Sequence, residues 1–320
     1  MSRILVTGAT GFIGFHLSKR LLKEGYEVFG LIRNPQKDLP HGVKPLWGDI
    51  IKGNLPELKG FDYVFHLAAL TKAVREKDYF LVNEKGTELL IKRLLEDGFS
   101  GKLIFLSSLS AQGPTIKNRP LREDDPPHPV SPYGLSKLKA EEKLQRCSSL
   151  FRVIILRPSV VYGPKDEYML HFFKLIQRRF LPLLRDEQWL SLCYVEDVVE
   201  ALLLCLQKEV KSGEVFLISD GQTYSLHQLA DVVASILKVN YLKIRVPPVI
   251  AKSIALLCEM VGRLKGKGMP FNLNKLSESL QEAWLCDISK AKKVLGFVPK
   301  YNLKEGLLLT INWYKAQGLL

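Results

Sequence analysis

The stretch that decides the fold is Thr7-Gly8-Ala9-Thr10-Gly11-Phe12-Ile13-Gly14. An apolar, β-prone run at residues 4–7 leads into it, and an amphipathic helical pattern at residues 12–23 leads out of it. The three glycines permit a tight turn, a close approach of the backbone to a pyrophosphate and close helix–strand packing. The start of the helix adds N–H donors and the positive end of a dipole. This strand-loop-helix context predicts a dinucleotide-binding loop in preference to an ordinary turn.

The chain continues from this loop as alternating strands and helices. Nearly continuous apolar runs predict strands at 27–32, 43–47, 63–66, 103–107 and 153–156, with helical patterns at 80–96 and 133–147 between them. Such alternation predicts an α/β fold with a Rossmann-type, doubly wound parallel sheet.

Beyond residue 164 the pattern loosens. It predicts helices at 196–207, 226–237, 249–264 and 303–315, with strands at 215–218 and near 244. We therefore expect a dinucleotide-binding domain at 1–165, to which 190–218 returns. Residues 166–189 and 219–320 would form a smaller, mostly helical substrate lobe, with the ligand in the cleft between the two.

Composition narrows the class of protein. The 320 residues are 47% hydrophobic and 25% charged, which is ordinary globular composition. No run reaches the roughly 18 apolar residues of a spanning helix, and the N-terminus shows no leader pattern, so a cytoplasmic location is expected. The five cysteines form no close pair, which predicts reduced thiols and no metal site. The net charge of +13 is dispersed, so nucleic acid is not an expected partner.

The end of the second predicted strand indicates which dinucleotide is bound. An NAD site usually has a carboxylate there for the ribose 2′-hydroxyl. This chain has Ile32 and then Arg33, with Lys37 close behind. A guanidinium can bind a 2′-phosphate in a bidentate manner. The sequence therefore favours NADP, with NAD as the alternative.

A second group of residues carries acid–base chemistry. Tyr133 and Lys137 are spaced i,i+4 near a predicted helix start, so they share one face. An ammonium beside a phenol favours the phenolate. Ser108 follows the fifth predicted strand, at the edge of the sheet where ligands bind. We therefore predict Tyr133 as acid/base, Lys137 as the cation that lowers its pKa, and Ser108 as the group that orients the reacting oxygen.

These motifs resemble the extended short-chain dehydrogenase/reductase family, also called the NAD-dependent epimerase/dehydratase family. Further matching segments are Gly48-Asp49, His66-Leu67-Ala68-Ala69, Asn83 with Gly86-Thr87, Leu156-Arg157-Pro158, Tyr194-Val195-Glu196-Asp197-Val198 and Trp313-Tyr314. The resemblance makes Ser108 the family's catalytic Ser/Thr, gives Lys137 a cofactor ribose hydroxyl to hold, and implies a homodimer built around the Tyr133 helix. The cofactor-binding residues it implies, together with the loop and Arg33, are Gly8, Thr10, Gly11, Phe12, Ile13, Gly14, Arg33, Asp49, Ile50, Leu67, Ala68, Ala69, Asn83, Tyr133, Lys137 and Pro158.

Departures from the family pattern bear on the small-molecule substrate. Sugar-nucleotide members usually have an Asn where this chain has Val160, and an Arg where it has Leu190; both meet the substrate diphosphate. Dehydratases need an Asp-Glu pair where Leu109 and Ser110 stand. Arg157-Pro158-Ser159 and Pro247-Pro248 are closer to the 3β-hydroxysteroid dehydrogenase and dihydroflavonol reductase branches.

The expected activity is therefore NAD(P)-dependent hydride transfer between nicotinamide and a secondary alcohol or ketone of a largely apolar, steroid- or flavonol-like substrate. A sugar-nucleotide epimerase acting through a transient 4-keto intermediate is the first alternative, and a non-catalytic cofactor-binding protein is the second. For the apolar helix at 249–264 we expect a plain core helix. The alternatives for that helix are the wall of an apolar pocket or a peripheral contact with a membrane.

Overall fold

A seven-stranded parallel sheet forms the centre of the molecule in a computed structural model that describes residues 1–34 and 38–320. Its strand order is β11-β6-β5-β4-β1-β2-β3, and every neighbouring pair is parallel. The strands of this sheet are β1 (Arg3–Thr7), β2 (Glu27–Ile32), β3 (Lys44–Trp47), β4 (Tyr63–His66), β5 (Lys102–Leu106), β6 (Arg152–Pro158) and β11 (Glu214–Ile218). The predicted doubly wound α/β fold is confirmed.

Helices cover both faces of this sheet. In chain order, the α-helices of the described residues are α1 (Phe12–Lys23), α2 (Glu76–Tyr79), α3 (Gly86–Glu96), α4 (Leu109–Gln112), α5 (Pro132–Arg146), α6 (Glu167–Gln177), α7 (Val195–Gln207), α8 (Leu226–Leu237), α9 (Pro248–Lys265), α10 (Leu273–Ser279) and α11 (Leu303–Ala316). Those that cover the main sheet are α1, α3, α5 and α7. Successive side chains of a strand point to opposite faces, so Ile4 and Val6 join the apolar cluster beneath α1 and α7, whereas Leu5 joins the one beneath α3 and α5. Burial on both faces explains the continuous apolar runs in the sequence.

A third apolar cluster lies in the remaining part of the chain, among α6, α8 and α11. Short strand pairs frame it: β7 (Val160–Tyr162) with β10 (Leu192–Tyr194), β8 (Phe180–Leu183) with β13 (Leu242–Arg245), and β9 (Trp189–Leu190) with β12 (Tyr224–Ser225) and β14 (Ala283–Trp284). Because β11 pairs with β6, the chain returns to the main sheet after β10 and leaves it again before β12.

The predicted helix at 80–96 differs from the observed one. The helical path begins at α2, passes through a π-helical segment at Phe80–Lys85 and continues as α3. The wider π turn carries Asn83, whose amide reaches Leu70 and Ser136. Such a π-helical segment changes the spacing of apolar residues too little to be predicted from the sequence.

The expectation of a core helix at 249–264 is wrong. The bounds nearly match α9, but only Ala251, Ala255 and Gly262 are buried in it. Most of its larger apolar side chains face solvent. Among the described residues, no helix is both long enough and apolar enough to cross a membrane.

Candidate functional site

The glycine loop joins β1 to α1 as a tight turn. Gly8 has φ +75°, and a Cβ there would lie 2.8 Å from the backbone nitrogen of Ala68. A Cβ on Gly14 would lie 2.1 Å from the carbonyl oxygen of Gly8, so only glycine lets the helix approach the loop this closely. Gly11 is the N-cap of α1, and within the described residues no side chain caps that end. The first-turn N–H groups, which include those of Phe12 and Ile13, therefore remain directed out of the helix.

The ends of β2 and β3 supply the next predicted residues. Arg33 follows β2 and is exposed. Lys37 lies outside the described residues. Beyond β3, Asp49 accepts a hydrogen bond from the backbone N–H of Ile51 at 2.8 Å, and Ile50 is buried against the apolar cluster under α3. These residues border one edge of the sheet.

A buried imidazole braces the end of β4 beside the loop. His66 lies 2.7 Å from the hydroxyl of Thr7 and 2.9 Å from that of Thr87. The Thr7 hydroxyl also accepts the N–H of Ala68 at 3.1 Å. Burial lowers the pKa of His66 to about 3, so the ring is neutral at physiological pH. The network fixes the backbone of the predicted Leu67, Ala68 and Ala69 segment against the glycine loop.

Ser108 and Tyr133 are brought together at the carboxyl end of β5. Ser108 caps the short helix α4 by accepting the N–H of Ser110 at 3.1 Å. Tyr133 stands in the first turn of α5, and the Ser108 side chain is close enough to its phenol to act on the pKa of that group. That contact lowers the pKa of Tyr133, but burial raises it more, and the net pKa is well above that of a free phenol.

Lys137 lies one turn further along α5. Its ammonium is buried, donates to the carbonyl oxygen of Leu106 at 2.7 Å and sits 3.9 Å from the centroid of the Phe105 ring. Burial lowers the pKa of Lys137 to about 7, and the nearby Glu141 carboxylate opposes that shift. A cation whose pKa lies near neutrality is thus held at Leu106, the last residue of β5 and two residues before Ser108.

A buried ion pair supports these side chains from behind. The guanidinium of Arg157 on β6 binds Glu141 of α5 at 3.0 and 3.1 Å, and it also contacts Gln112 of α4. The hydroxyl of Ser107 donates to the same Glu141 carboxylate. Strand β5, helix α4, helix α5 and strand β6 are therefore tied together at one charged centre.

Residues far along the chain also reach the site, and sequence reasoning missed them. Asn274 of α10 accepts the backbone N–H of Tyr133 at 3.0 Å. Glu278 of the same helix accepts from the hydroxyl of Ser131, the N-cap of α5, at 2.9 Å, and it raises the pKa of Tyr133. The ring centroid of Tyr79 lies 6.1 Å from that of Tyr133. The sequence signals helix α10 only by Asn272, the N-cap of its seven residues.

The last predicted contacts lie at the end of β6. Pro158 ends the strand, and the buried hydroxyl of Ser159 has no hydrogen-bond partner among the described residues. Val160 of β7 is exposed and Leu190 of β9 is half-buried, so neither position offers a polar group. In the same described part of the chain, no group of three or more His, Cys, Asp or Glu side chains could hold a metal ion.

Comparison with known proteins places the chain in a family. Residues 4–219 match the model of the NAD dependent epimerase/dehydratase family. The chain is 31% identical to UDP-glucose 4-epimerase of Vibrio cholerae, over 96% of this chain and 94% of that one. It is 27% identical to ceramide reductase of Caulobacter vibrioides, over 99% and 96%. The solved structure of MoeE5 in complex with UDP-glucuronic acid and NAD has a TM-score of 0.78 and 26% identity, covering 99% of this chain and all of that one.

Proposed function

The chain belongs to the NAD dependent epimerase/dehydratase family, and we propose that it transfers a hydride at a hydroxyl-bearing carbon of its substrate with Tyr133, Ser108 and Lys137. The observation that carries the proposal is the Ser108 side chain close to the Tyr133 phenol, where the parallel strands β5 and β6 end. Ligand sites of doubly wound folds open at that edge.

The residues present fit a nicotinamide dinucleotide. In the described part of the chain no side chain caps the start of α1, so it offers backbone donors to a pyrophosphate. The Ser159 hydroxyl, which also has no hydrogen-bond partner there, stands next to Pro158, a residue we assign to the cofactor site. When bound, the dinucleotide would supply the hydride acceptor and donor. The exposed Arg33 at the end of β2 supports NADP, because a guanidinium can bind a 2′-phosphate. The NAD held by MoeE5 supports the alternative.

Side chains of this protein would transfer the proton to and from the substrate oxygen. Because burial keeps the pKa of Tyr133 high, the residue is a phenol at neutral pH and can donate a proton to a carbonyl oxygen. In the reverse direction the phenolate form accepts the proton of an alcohol and becomes a phenol again, and a charged Lys137 would favour that phenolate. Ser108 would hold the reacting oxygen within reach of that phenol.

The relatives favour a sugar nucleotide as substrate. The family members reported above include a UDP-glucose 4-epimerase, and MoeE5 holds UDP-glucuronic acid. We therefore propose, as the first candidate, inversion of a sugar hydroxyl through a ketone that is re-reduced on its other face. This supports the epimerase alternative better than the steroid-like substrate.

A second candidate is net oxidation or reduction of an apolar alcohol or ketone. Val160 and Leu190 stand where sugar-nucleotide members hold the diphosphate, and apolar side chains there leave such a group poorly compensated. The ceramide reductase relative supports this candidate.

An assay panel separates the two candidates. Purified protein would be incubated with UDP-glucose and with apolar ketones in the presence of each nicotinamide dinucleotide. Sugar inversion without net cofactor turnover supports the epimerase, whereas NAD(P)H consumed in proportion to ketone supports the reductase.

The assignment of Tyr133 is tested on whichever reaction is found. Tyr133→Phe should lower kcat by about 10²–10⁴-fold, the usual contribution of general acid–base catalysis, with cofactor affinity unchanged. Tyr241→Phe is the matched control, because Tyr241 bonds Asp231 on the far side of α8 and should retain full activity. Full activity in Tyr133→Phe would contradict the assignment. Cofactor binding with no turnover in the unmodified protein would favour a non-catalytic role.

A further inference from the structure

Helix α9 exposes an unusual amount of apolar surface. Leu264 is 88% exposed, Val249 77%, and Leu257 and Met260 60% each. The remaining exposed apolar side chains of this helix are Ile250, Ile254, Leu256 and Val261. Isolated exposed apolar residues are common on proteins, but a continuous helix face of this kind marks an interaction surface.

The exposed side chains fall on one side of the helix. At about 100° per residue, all of them except Leu256 lie within an arc of roughly 140°. Ser253 is the one other residue in that arc. The buried positions, Ala251, Ala255 and Gly262, lie on the opposite side and pack close to α10 and its flanking loop. The helix therefore contacts the protein through small residues and presents its large ones outward.

The charge of this region indicates the kind of partner that it binds. Residues 241–267 contain six basic residues and a single acidic one, Glu259. Glu259 accepts the backbone N–H of Leu273 at 3.1 Å, so this carboxylate is used inside the protein. On the helical projection, Lys252 and Arg263 border one edge of the apolar arc and Lys265 borders the other.

The apolar exposure extends to the strand pair before the helix. Leu242 and Ile244 of β13 are 67% and 43% exposed, and Phe180 of β8 is 45% exposed. Strand β13 leads into α9 through Val246 and Pro247, and its other two residues are Lys243 and Arg245. Apolar and basic side chains therefore alternate on this strand as well.

We propose that this surface, comprising α9 and β13, docks on an anionic phospholipid bilayer with the helix lying in the plane of the interface. An apolar face bordered by Lys and Arg is the pattern of interfacial helices. A second copy of the chain fits poorly, because pairing two such surfaces would bring two sets of basic residues together. The docking requires none of the residues assigned to the reaction, so failure of either proposal leaves the other standing.

Vesicle co-sedimentation of the full-length protein tests the proposal. The protein should bind vesicles of phosphatidylcholine mixed with phosphatidylglycerol, and binding should weaken as salt is raised. The double variant Leu257→Glu/Leu264→Glu should not sediment with them. Replacing Lys252, Arg263 or Lys265 by Ala should weaken binding about fivefold for each residue, which corresponds to about 1 kcal/mol.

The control variant is Val298→Glu, which adds a charge at a residue that is 66% exposed in the loop before α11. It should bind like the unmodified protein, and circular dichroism should show all variants folded. Equal binding of the Leu257→Glu/Leu264→Glu protein, equal binding to pure phosphatidylcholine, or no binding of the unmodified protein would overturn the proposal. So would a solution dimer that this double variant converts to monomer.

Discussion

We propose that the choice of dinucleotide depends on Arg33. It is exposed where β2 ends, at the position where an NAD site would have a carboxylate. Charge-assisted hydrogen bonds contribute about 1.5–3 kcal/mol. Arg33→Ala should therefore weaken NADP binding by roughly tenfold to a hundredfold, with NAD binding nearly unchanged. Calorimetric titration with both dinucleotides measures this, and NAD serves as the internal control. An unmodified protein that prefers NAD would contradict the NADP prediction.

The buried His66 ring makes the free energy of unfolding depend on pH in the acid range. The pKa of its imidazole is about 3 in the folded protein and 6.5 as an ordinary value, so the unfolded chain binds more protons between these two pH values. Stability linked to His66 is complete above pH 6.5 and falls as pH decreases toward 3. His66→Gln should reduce the pH dependence of the unfolding free energy by up to about one proton.

Urea unfolding of both proteins at pH values from 7 down to 4 provides that slope. His41→Gln removes an exposed imidazole and is the matched control. An identical slope in the His66→Gln and unmodified proteins would show that the ring is not kept neutral by burial.

Helix α5 is held by one buried carboxylate and carries a similar one on its surface. Glu141 binds Arg157 and Ser107 in the interior, whereas Glu142 pairs with Lys139 at 3.0 Å near solvent. Removing one partner of a buried ion pair costs about 3–5 kcal/mol because a charge is left unpaired. An exposed pair contributes about 0–1 kcal/mol.

Glu141→Leu should therefore lower the free energy of unfolding by several kcal/mol, and Glu142→Leu should change it little. Urea denaturation at neutral pH compares the two. Because the same ion pair ties α5 to β6, the Glu141→Leu protein should also lose activity. Equal destabilisation by the two substitutions would mean that the Arg157 centre does not hold the helix.

The strands of the main sheet and the longer helices could be predicted from the sequence, and most of the shorter elements outside that sheet could not. The strands of the main sheet and helices α1, α7, α8 and α11 follow patterns set by which face is buried, so their predicted bounds agree with the observed ones within two residues. Helix α10 has seven residues and too little pattern to detect.

Sequence patterns also predict the candidate site only where its residues lie in local motifs. The glycine loop, Ser108, Tyr133 and Lys137 lie in local motifs and could be predicted. The contact between Asn274 and Tyr133 joins residues 141 positions apart, and no local spacing encodes it. The orientation of α9 was also unpredictable, because an apolar helix can face a core or a membrane with the same composition.

At the scale of the whole molecule, the candidate site exists only when distant parts of the chain are assembled. The loop before α1, the start of α5, the end of β6 and helix α10 all contribute to it. A ligand of this site therefore binds the folded state and not the unfolded chain, and it stabilises the fold by mass action.

Cofactor binding should accordingly raise the melting temperature of the protein. At a dinucleotide concentration of about 100 times Kd the added stability is about 2.7 kcal/mol, which calorimetry or fluorescence would detect as a higher Tm. Gly11→Ala should abolish most of that increase, because the added Cβ stands at the cap of α1, where the backbone would approach the pyrophosphate. Alanine can adopt the φ of −81° at this position, and its Cβ would lie 3.1 Å from the carbonyl oxygen of Gly8. Gly98→Ala is the control: with φ +69° it lowers the intrinsic Tm but lies in open space after α3, so the increase on adding dinucleotide should be complete. A full increase in the Gly11→Ala protein would show that the dinucleotide phosphates do not bind at the start of α1.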